Sequence, residues 1–427
     1  MLLFTSEVTM KKVVITILSL LIICGGVFSY FIFFRKEGNI KESKKKKEII
    51  VYTDALEDEN VKINKELNIE FGKINYLYEF ITIDNAEFDN SEIQYDELGE
   101  TKVEFYYVLN NRKYYRYLIF NIVDTTAPLA TVPSTKSVLL GSDLGFLDDF
   151  WCGDNHDKIP DKNIDGYFDL SQTGDYNVTF IAKDESGNET KKPFTLKIVE
   201  TLPKSSSSSS SKINYINYDD LYNEYKNDNT KVGIDISRWQ GDVDFEALSK
   251  SNVEFIMIRL GGQDGIDGEY YIDSKFTRNM ENAQKYGFDV GVYFYSYAYT
   301  QDEAIKQAKY VIENLKDYNL KLPIAFDWEC WNKFNKFKIS FYDVTKVRDT
   351  FLNYVESKGY KGARYGSKNY LTNVWQDSKH LTWLAHYISE TTYEGEYFMW
   401  QRCDTGKVSG INGAVDVDIL YLDKYDL

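Results

Sequence analysis

The chain is poor in the residues that build metal centres and covalent frameworks. Of its 427 residues only four are cysteine and three histidine. Cys24, Cys152, Cys330 and Cys403 show no CxxC or Cys/His spacing that suggests a zinc site. They are too sparse for a stapled disulfide scaffold. Cys24 falls in a hydrophobic run, so Cys330–Cys403 is the single bridge worth considering. Positive charge is also short: 50 Lys and Arg stand against 66 Asp and Glu, a formal charge of −16. That balance argues against a nucleic-acid partner, which calls for a basic face. Hydrophobic residues at 43% suffice for ordinary cores, and the length implies two or three domains. Aromatics are abundant at 16%, including 35 Tyr. Carbohydrate-facing surfaces and β-rich modules give this excess, and so does AT-rich coding.

Val13–Phe34 is almost uncharged and long enough to cross a hydrocarbon core of about 30 Å. It lacks the short apolar core and small-residue exit of a cleaved signal peptide, so residues 1–36 read as a signal anchor. Residues 37–48 form a basic juxtamembrane linker. The Lys and Arg excess on that side, taken alone, would keep the large C-terminal part in the cytoplasm. The rule is weak for long translocated domains, and the function argued below requires an exterior location.

From residue 49 to 200 short alternating strands are broken by turn residues, an all-β pattern that repeats. Leu98-Gly99-Glu100-Thr101-Lys102-Val103-Glu104-Phe105 aligns with Thr173-Gly174-Asp175-Tyr176-Asn177-Val178-Thr179-Phe180, giving two modules, 49–124 and 125–200. The hinge Asp124-Thr125-Thr126-Ala127-Pro128 and the turn Lys183-Asp184-Glu185-Ser186-Gly187-Asn188 resemble bacterial immunoglobulin-like surface repeats. The Asp- and Asn-rich turns read as turn chemistry rather than cation ligands. Ser205–Ser211 opens a flexible linker, assigned to 201–230.

Beyond it strands alternate with helices, an α/β pattern. Strands are predicted at Val232–Ile236, Phe255–Leu260, Val290–Tyr297, Pro323–Glu329, Ala363–Tyr365, Thr382–Ile388, Tyr397–Gln401 and Val415–Tyr421. Helices are predicted at Asp302–Leu315 and Tyr342–Lys358. Eight strands with helices mainly after the first five suggest an irregular β/α barrel over 231–427. Asp235, Asp327, Glu329 and Asp416 fall at strand ends, where barrels place their chemistry. Asp327 and Glu329, two apart, face one side. Neighbouring carboxylates cannot both ionise freely, so one is pushed up and an acid stands beside a base, as glycoside hydrolysis requires. From these residues alone a divalent-cation site and a structural role stay open.

Gly233-Ile234-Asp235-Ile236-Ser237-Arg238-Trp239-Gln240-Gly241 resembles the opening motif of the glycoside hydrolase family 25 lysozymes. Phe255-Ile256-Met257-Ile258-Arg259, Gly291-Val292-Tyr293-Phe294-Tyr295 and Phe326-Asp327-Trp328-Glu329 are similar to its next strands. Trp383-Leu384-Ala385-His386-Tyr387, Trp400-Gln401 and Val415-Asp416-Val417-Asp418 resemble its closing ones. The resemblance spans nearly all of 232–427, less than half the chain. It implies a barrel that cleaves the β-1,4 bond between N-acetylmuramic acid and N-acetylglucosamine, without cofactor or metal. Glu329 would be the general acid/base, and Asp327 would stabilise the transition state, for instance by orienting the substrate's acetamido group. Asp235 and Asp416 would line the cleft, with Tyr293, Tyr387 and Trp400 as sugar-stacking candidates. Phe294 stands where many members carry His, and Asp418 where Asn is usual. The expected partners are peptidoglycan strands and, through the anchor, the membrane, in remodelling or in opening the wall for a secretion or conjugation machine. The competing class is an inactive barrel kept as a peptidoglycan-binding surface module; the complete set of cleft acids speaks for the enzyme.

Overall fold

A computed structural model describes residues 50–88, 92–203, 213–330, 334–376 and 378–425. The Val13–Phe34 segment and the Ser205–Ser211 run lie outside these residues. Among the described residues no helix is long and apolar enough to cross a membrane.

Two long hairpins organise the β-rich region. In the first, Gly99–Leu109 pairs antiparallel with Arg112–Val123 through a two-residue turn, Asn110-Asn111, with φ of 49° and 58°. Asparagine tolerates this left-handed geometry, which matches strand twist. In the second, Gly174–Lys183 pairs with Glu189–Val199. Alternation puts Val103, Phe105 and Tyr107 inside one core and Val178, Phe180 and Ala182 inside the other. Each hairpin's last strand also takes a parallel partner, Asn68–Glu70 in one case and Thr135–Leu139 in the other. Each first strand takes an antiparallel one, Glu87–Phe88 or Asp161–Asp165. The two sheets therefore share one topology. Gly99 and Gly174, aligned in the sequence, open equivalent strands opposite Ile122 and Ile198.

The polar stretch before the α/β region is not linker throughout, which corrects the 201–230 assignment. Ile216–Asn217 pairs in parallel with Gly406–Lys407. Asn217 then caps helix α1 (Tyr218–Tyr225). Tyr218 is 1% exposed and its hydroxyl donates to the Val232 carbonyl at 2.9 Å. Two strand residues and two helical turns are too short for periodicity to reveal.

The barrel strands are β1 (Thr230–Ile236), β2 (Phe255–Gln263), β3 (Asp289–Tyr295), β4 (Ile324–Asp327), β5 (Gly362–Ser367), β6 (Leu381–Ala385), β7 (Met399–Lys407) and β8 (Val415–Tyr421). β1 to β7 run parallel in sequence order. β8 inserts antiparallel between β7 and β1 and closes the ring. Helices α2 (Phe276–Lys285), α3 (Gln301–Glu313), α4 (Phe341–Glu356) and α5 (Lys368–Asn373) follow β2 to β5. α4 buries Val344, Val347, Phe351, Leu352 and Val355, a stripe at three- and four-residue spacing. Ser340 and Asp343 form its capping box.

The first turn of α4 also carries the β-rich region, within the unit Thr53–Leu427. The amides of Phe341 and Tyr342 donate to the carbonyls of Asp154 (2.7 Å) and Asn155 (3.3 Å). Tyr342, 7% exposed, meets Phe71 edge-on at 5.1 Å and donates its hydroxyl to Asp96 at 3.2 Å. Gly72 has φ +69°, and a Cβ there would lie 2.6 Å from the Tyr342 ring, so glycine permits this contact. Cys152, Cys330 and Cys403 are all buried, and no disulfide joins Cys330 to Cys403, the bridge considered above.

Candidate active site

Strand alternation sorts the barrel residues into two layers. In β1, Ile234 and Ile236 join the core beneath the helices, which turns Asp235 inward. In β8, Val417 and Ile419 pack outward, so Asp416, Asp418 and Leu420 point in. In β4 the strand ends at Asp327, whose neighbour Trp328 is fully buried and donates to the Ala298 carbonyl. Asp327 and Glu329 are left on the cleft side. Asp235 lies directly opposite Asp416 in the β1–β8 pairing. The four expected acids thus meet in one 330 Å³ cleft, together with Tyr293, Tyr295, Tyr365, Trp383, Tyr387, Gln401, Arg259 and Trp239.

Burial dominates the electrostatics. Asp327 is 4% exposed, and desolvation pushes its carboxyl well above the usual range; the Glu329 charge and a hydrogen bond shared with Glu329 push the same way. Its Oδ1 has no protein donor, and Arg259 is the opposing influence. Glu329 itself is exposed to the cleft. Asp235 is raised by burial and by the charges of Asp416 and Asp418. Desolvation, Asp404 and Glu329 push Asp416 up to about 7. The pair therefore combines a deeply buried carboxyl with a neighbour that reaches the open cleft.

Gln401 organises the floor. Its Nε2 donates to Asp235 Oδ2 at 2.7 Å, and its Oε1 accepts from Tyr365 (2.9 Å) and Tyr387 (2.8 Å). Tyr387, 48% exposed, and Tyr293 line the cleft as expected. Trp400 does not. It is 3% exposed, donates to the His386 carbonyl at 2.9 Å and packs against Tyr225 under the outer layer. Its stacking assignment is corrected because alternation in β7 turns Gln401 inward and Trp400 out. Phe294 lies in the same outer layer against Tyr270 and Tyr310. Asp418, fully buried, accepts from Trp383 Nε1 at 2.8 Å below the cleft.

Other cleft residues were not anticipated, among them Arg259, Trp239, Tyr365 and Gln401. Arg259 reaches the Tyr271 hydroxyl at 2.7 Å and sits 4.9 Å from the Tyr295 ring. Trp239, 74% exposed, offers an open aromatic face at the cleft lip. Tyr365 and Gln401 complete the floor. Trp239, Arg259 and Gln401 each stood inside a quoted motif, and inward alternation was the available signal for Gln401.

An open acidic cleft at the strand ends of a closed β/α barrel marks the usual place for that fold's chemistry. Residues 234–411 match the model of glycosyl hydrolases family 25. The autolytic lysozyme of Clostridium acetobutylicum is 30% identical over 189 residues, which cover 44% of this chain and 54% of that protein. Lysozyme M1 of Streptomyces globisporus is 26% identical over 209 residues, covering 43% and 65%. The match thus spans about half the length of the first relative and about two thirds of the second. A family 25 glycosyl hydrolase structure from Bacillus anthracis shares 21% identity and covers 50% of this chain and 95% of its own, with a TM-score of 0.40.

Proposed function

We propose that the barrel is a cell-wall lysozyme that hydrolyses the bond between N-acetylmuramic acid and N-acetylglucosamine. The observation that carries this reading is the Asp327–Glu329 pair, hydrogen-bonded and buried on one side only, facing Asp235 and Asp416 across a cleft. Glu329 donates its proton to the leaving glycosidic oxygen. Asp327, fixed against it, orients the substrate's acetamido group, whose oxygen attacks the anomeric carbon from the opposite face. Water then opens the cyclic intermediate with Glu329 as base, and the anomeric configuration is retained. This route is among the exceptions to the two-carboxylate scheme. Trp239 and Tyr387 offer flat faces to sugar rings, and Gln401 holds Asp235 in place.

The same reading places the barrel outside a bacterial membrane, tethered by Val13–Phe34, with the immunoglobulin-like modules as its stalk. The test is digestion of purified peptidoglycan by the full chain, with identification of the new reducing ends. Muramic acid ends are expected, and the chain should stay with membranes after carbonate washing. Glucosamine ends would overturn the bond assignment. Binding without cleavage would establish the inactive wall-binding module instead.

A further inference from the structure

A second acidic cluster lies outside the cleft lining, where the two β-sheets and the barrel come together. Asp124 follows the strand Arg112–Val123, Asp154 follows Trp151–Gly153, and Asp184 follows Gly174–Lys183. They are 7%, 0% and 4% exposed, and one carboxylate oxygen from each lies within 4.8 Å of the others. Asp184 is satisfied by the Asn188 amide (2.7 Å) and side chain (2.8 Å). Asp154 Oδ2 accepts from the amides of His156 and Asp157, both at 2.8 Å. Asp124 Oδ1 accepts from Asn155 Nδ2 at 3.2 Å and the Thr126 amide at 3.3 Å.

The remaining oxygens point to a ligand. Asp124 Oδ2, Asp154 Oδ1 and Asn155 Oδ1 are all buried without a donor. Asn155 is itself only 8% exposed and touches the cluster through its amide nitrogen. The nearby ion pairs, His156–Asp157 and Lys158–Asp343, engage other carboxylates. Burial pushes Asp154 up to about 6, and Asp124 and Asp184 add to it. Three buried carboxylates, two of them with an orphaned oxygen, need positive charge among them.

We propose that Asp124, Asp154, Asp184 and Asn155 bind a calcium ion that ties the β-region to the barrel. All donors are hard oxygens, as calcium requires. Ligands at 2.3–2.6 Å on one ion lie at most about 5 Å apart, so the cluster's spacing fits a single ion. The ion would also fix the loop whose Asp154 and Asn155 carbonyls receive the first amides of α4. Calcium would thereby lock three elements: the end of the first hairpin, the turns of the second sheet, and the helix behind β4.

The test uses the full chain stripped with EDTA, titrated calorimetrically with calcium chloride and melted with and without it. One calcium per chain and a calcium-dependent rise in melting temperature are expected. Both should be retained by Glu329→Gln. Asp154→Asn should weaken binding at least about tenfold, since a charged ligand becomes neutral, and should abolish the melting shift. Asp124→Asn serves as the second variant should the first fold poorly. The proposal is overturned if the wild-type chain binds no calcium at millimolar concentration. It is equally overturned if both Asp variants bind like wild type, or if Glu329→Gln removes the binding and so places it in the cleft.

Discussion

Replacing Glu329 by glutamine separates chemistry from architecture. Glu329 is exposed to the cleft, so its amide analogue leaves packing intact. What disappears is the transferable proton. Loss of a general acid typically lowers turnover about 10²–10⁴-fold. At about 1.4 kcal/mol per tenfold this corresponds to about 3–5.5 kcal/mol of barrier. The charge of Glu329 also raises Asp327, Asp416 and Tyr365. Its removal lets those groups move back toward their ordinary values. A buried carboxyl raised above its unfolded value weakens the fold at neutral pH, so Glu329→Gln should melt at or above wild type there. The assay pairs wall hydrolysis with glycan binding and melting temperature. Turnover near wild type in a folded, glycan-binding Glu329→Gln variant would refute the acid assignment.

Tyr342→Ala removes a buried ring, its edge-on contact with Phe71 and its hydrogen bond to Asp96; core aromatic truncations cost about 3–5 kcal/mol. After a protease nick in the serine run, wild-type fragments should co-elute on gel filtration and the variant's should separate. Co-elution in the variant would mean that other contacts carry the docking. Stability should also fall as pH rises from about 4 to about 7, because Asp416 is pushed up to about 7 and Asp235, Asp327 and Asp418 are raised as well. The unfolded chain releases these protons earlier, so each group favours the fold below its unfolded value and loses that contribution on the way up. Asp416→Asn should flatten the upper part of this melting curve against pH, and an unchanged slope would exclude Asp416 as a source.

Much of the barrel was legible because each strand carries apolar residues in phase and each acid stands at a strand end. All eight predicted barrel strands have an observed counterpart, and the four acids meet. Errors arose where one residue decides a phase, as with Trp400 and Gln401, neighbours on opposite sides of β7. The docking surface was hidden for another reason. Phe341 and Tyr342 fit the apolar stripe of an ordinary amphipathic helix, and only the folded chain brings Phe71 and Asp154 to them. The cluster of Asp124, Asp154 and Asp184 was equally invisible, since its members sit in three turns about thirty residues apart. Each turn alone is adequately explained by its own local hydrogen bonds.

The antiparallel β8 has a consequence for when the acidic cleft takes shape. It supplies Asp416 and Asp418 and pairs with both β1 and β7, so Asp235 acquires its facing carboxylate only when Val415–Tyr421 slots into the gap. A chain emerging in order from its N-terminus presents Asp327 and Glu329 early, yet on an open sheet without the opposite wall of the cleft. The cleft is thus complete only once the closing strand is in place.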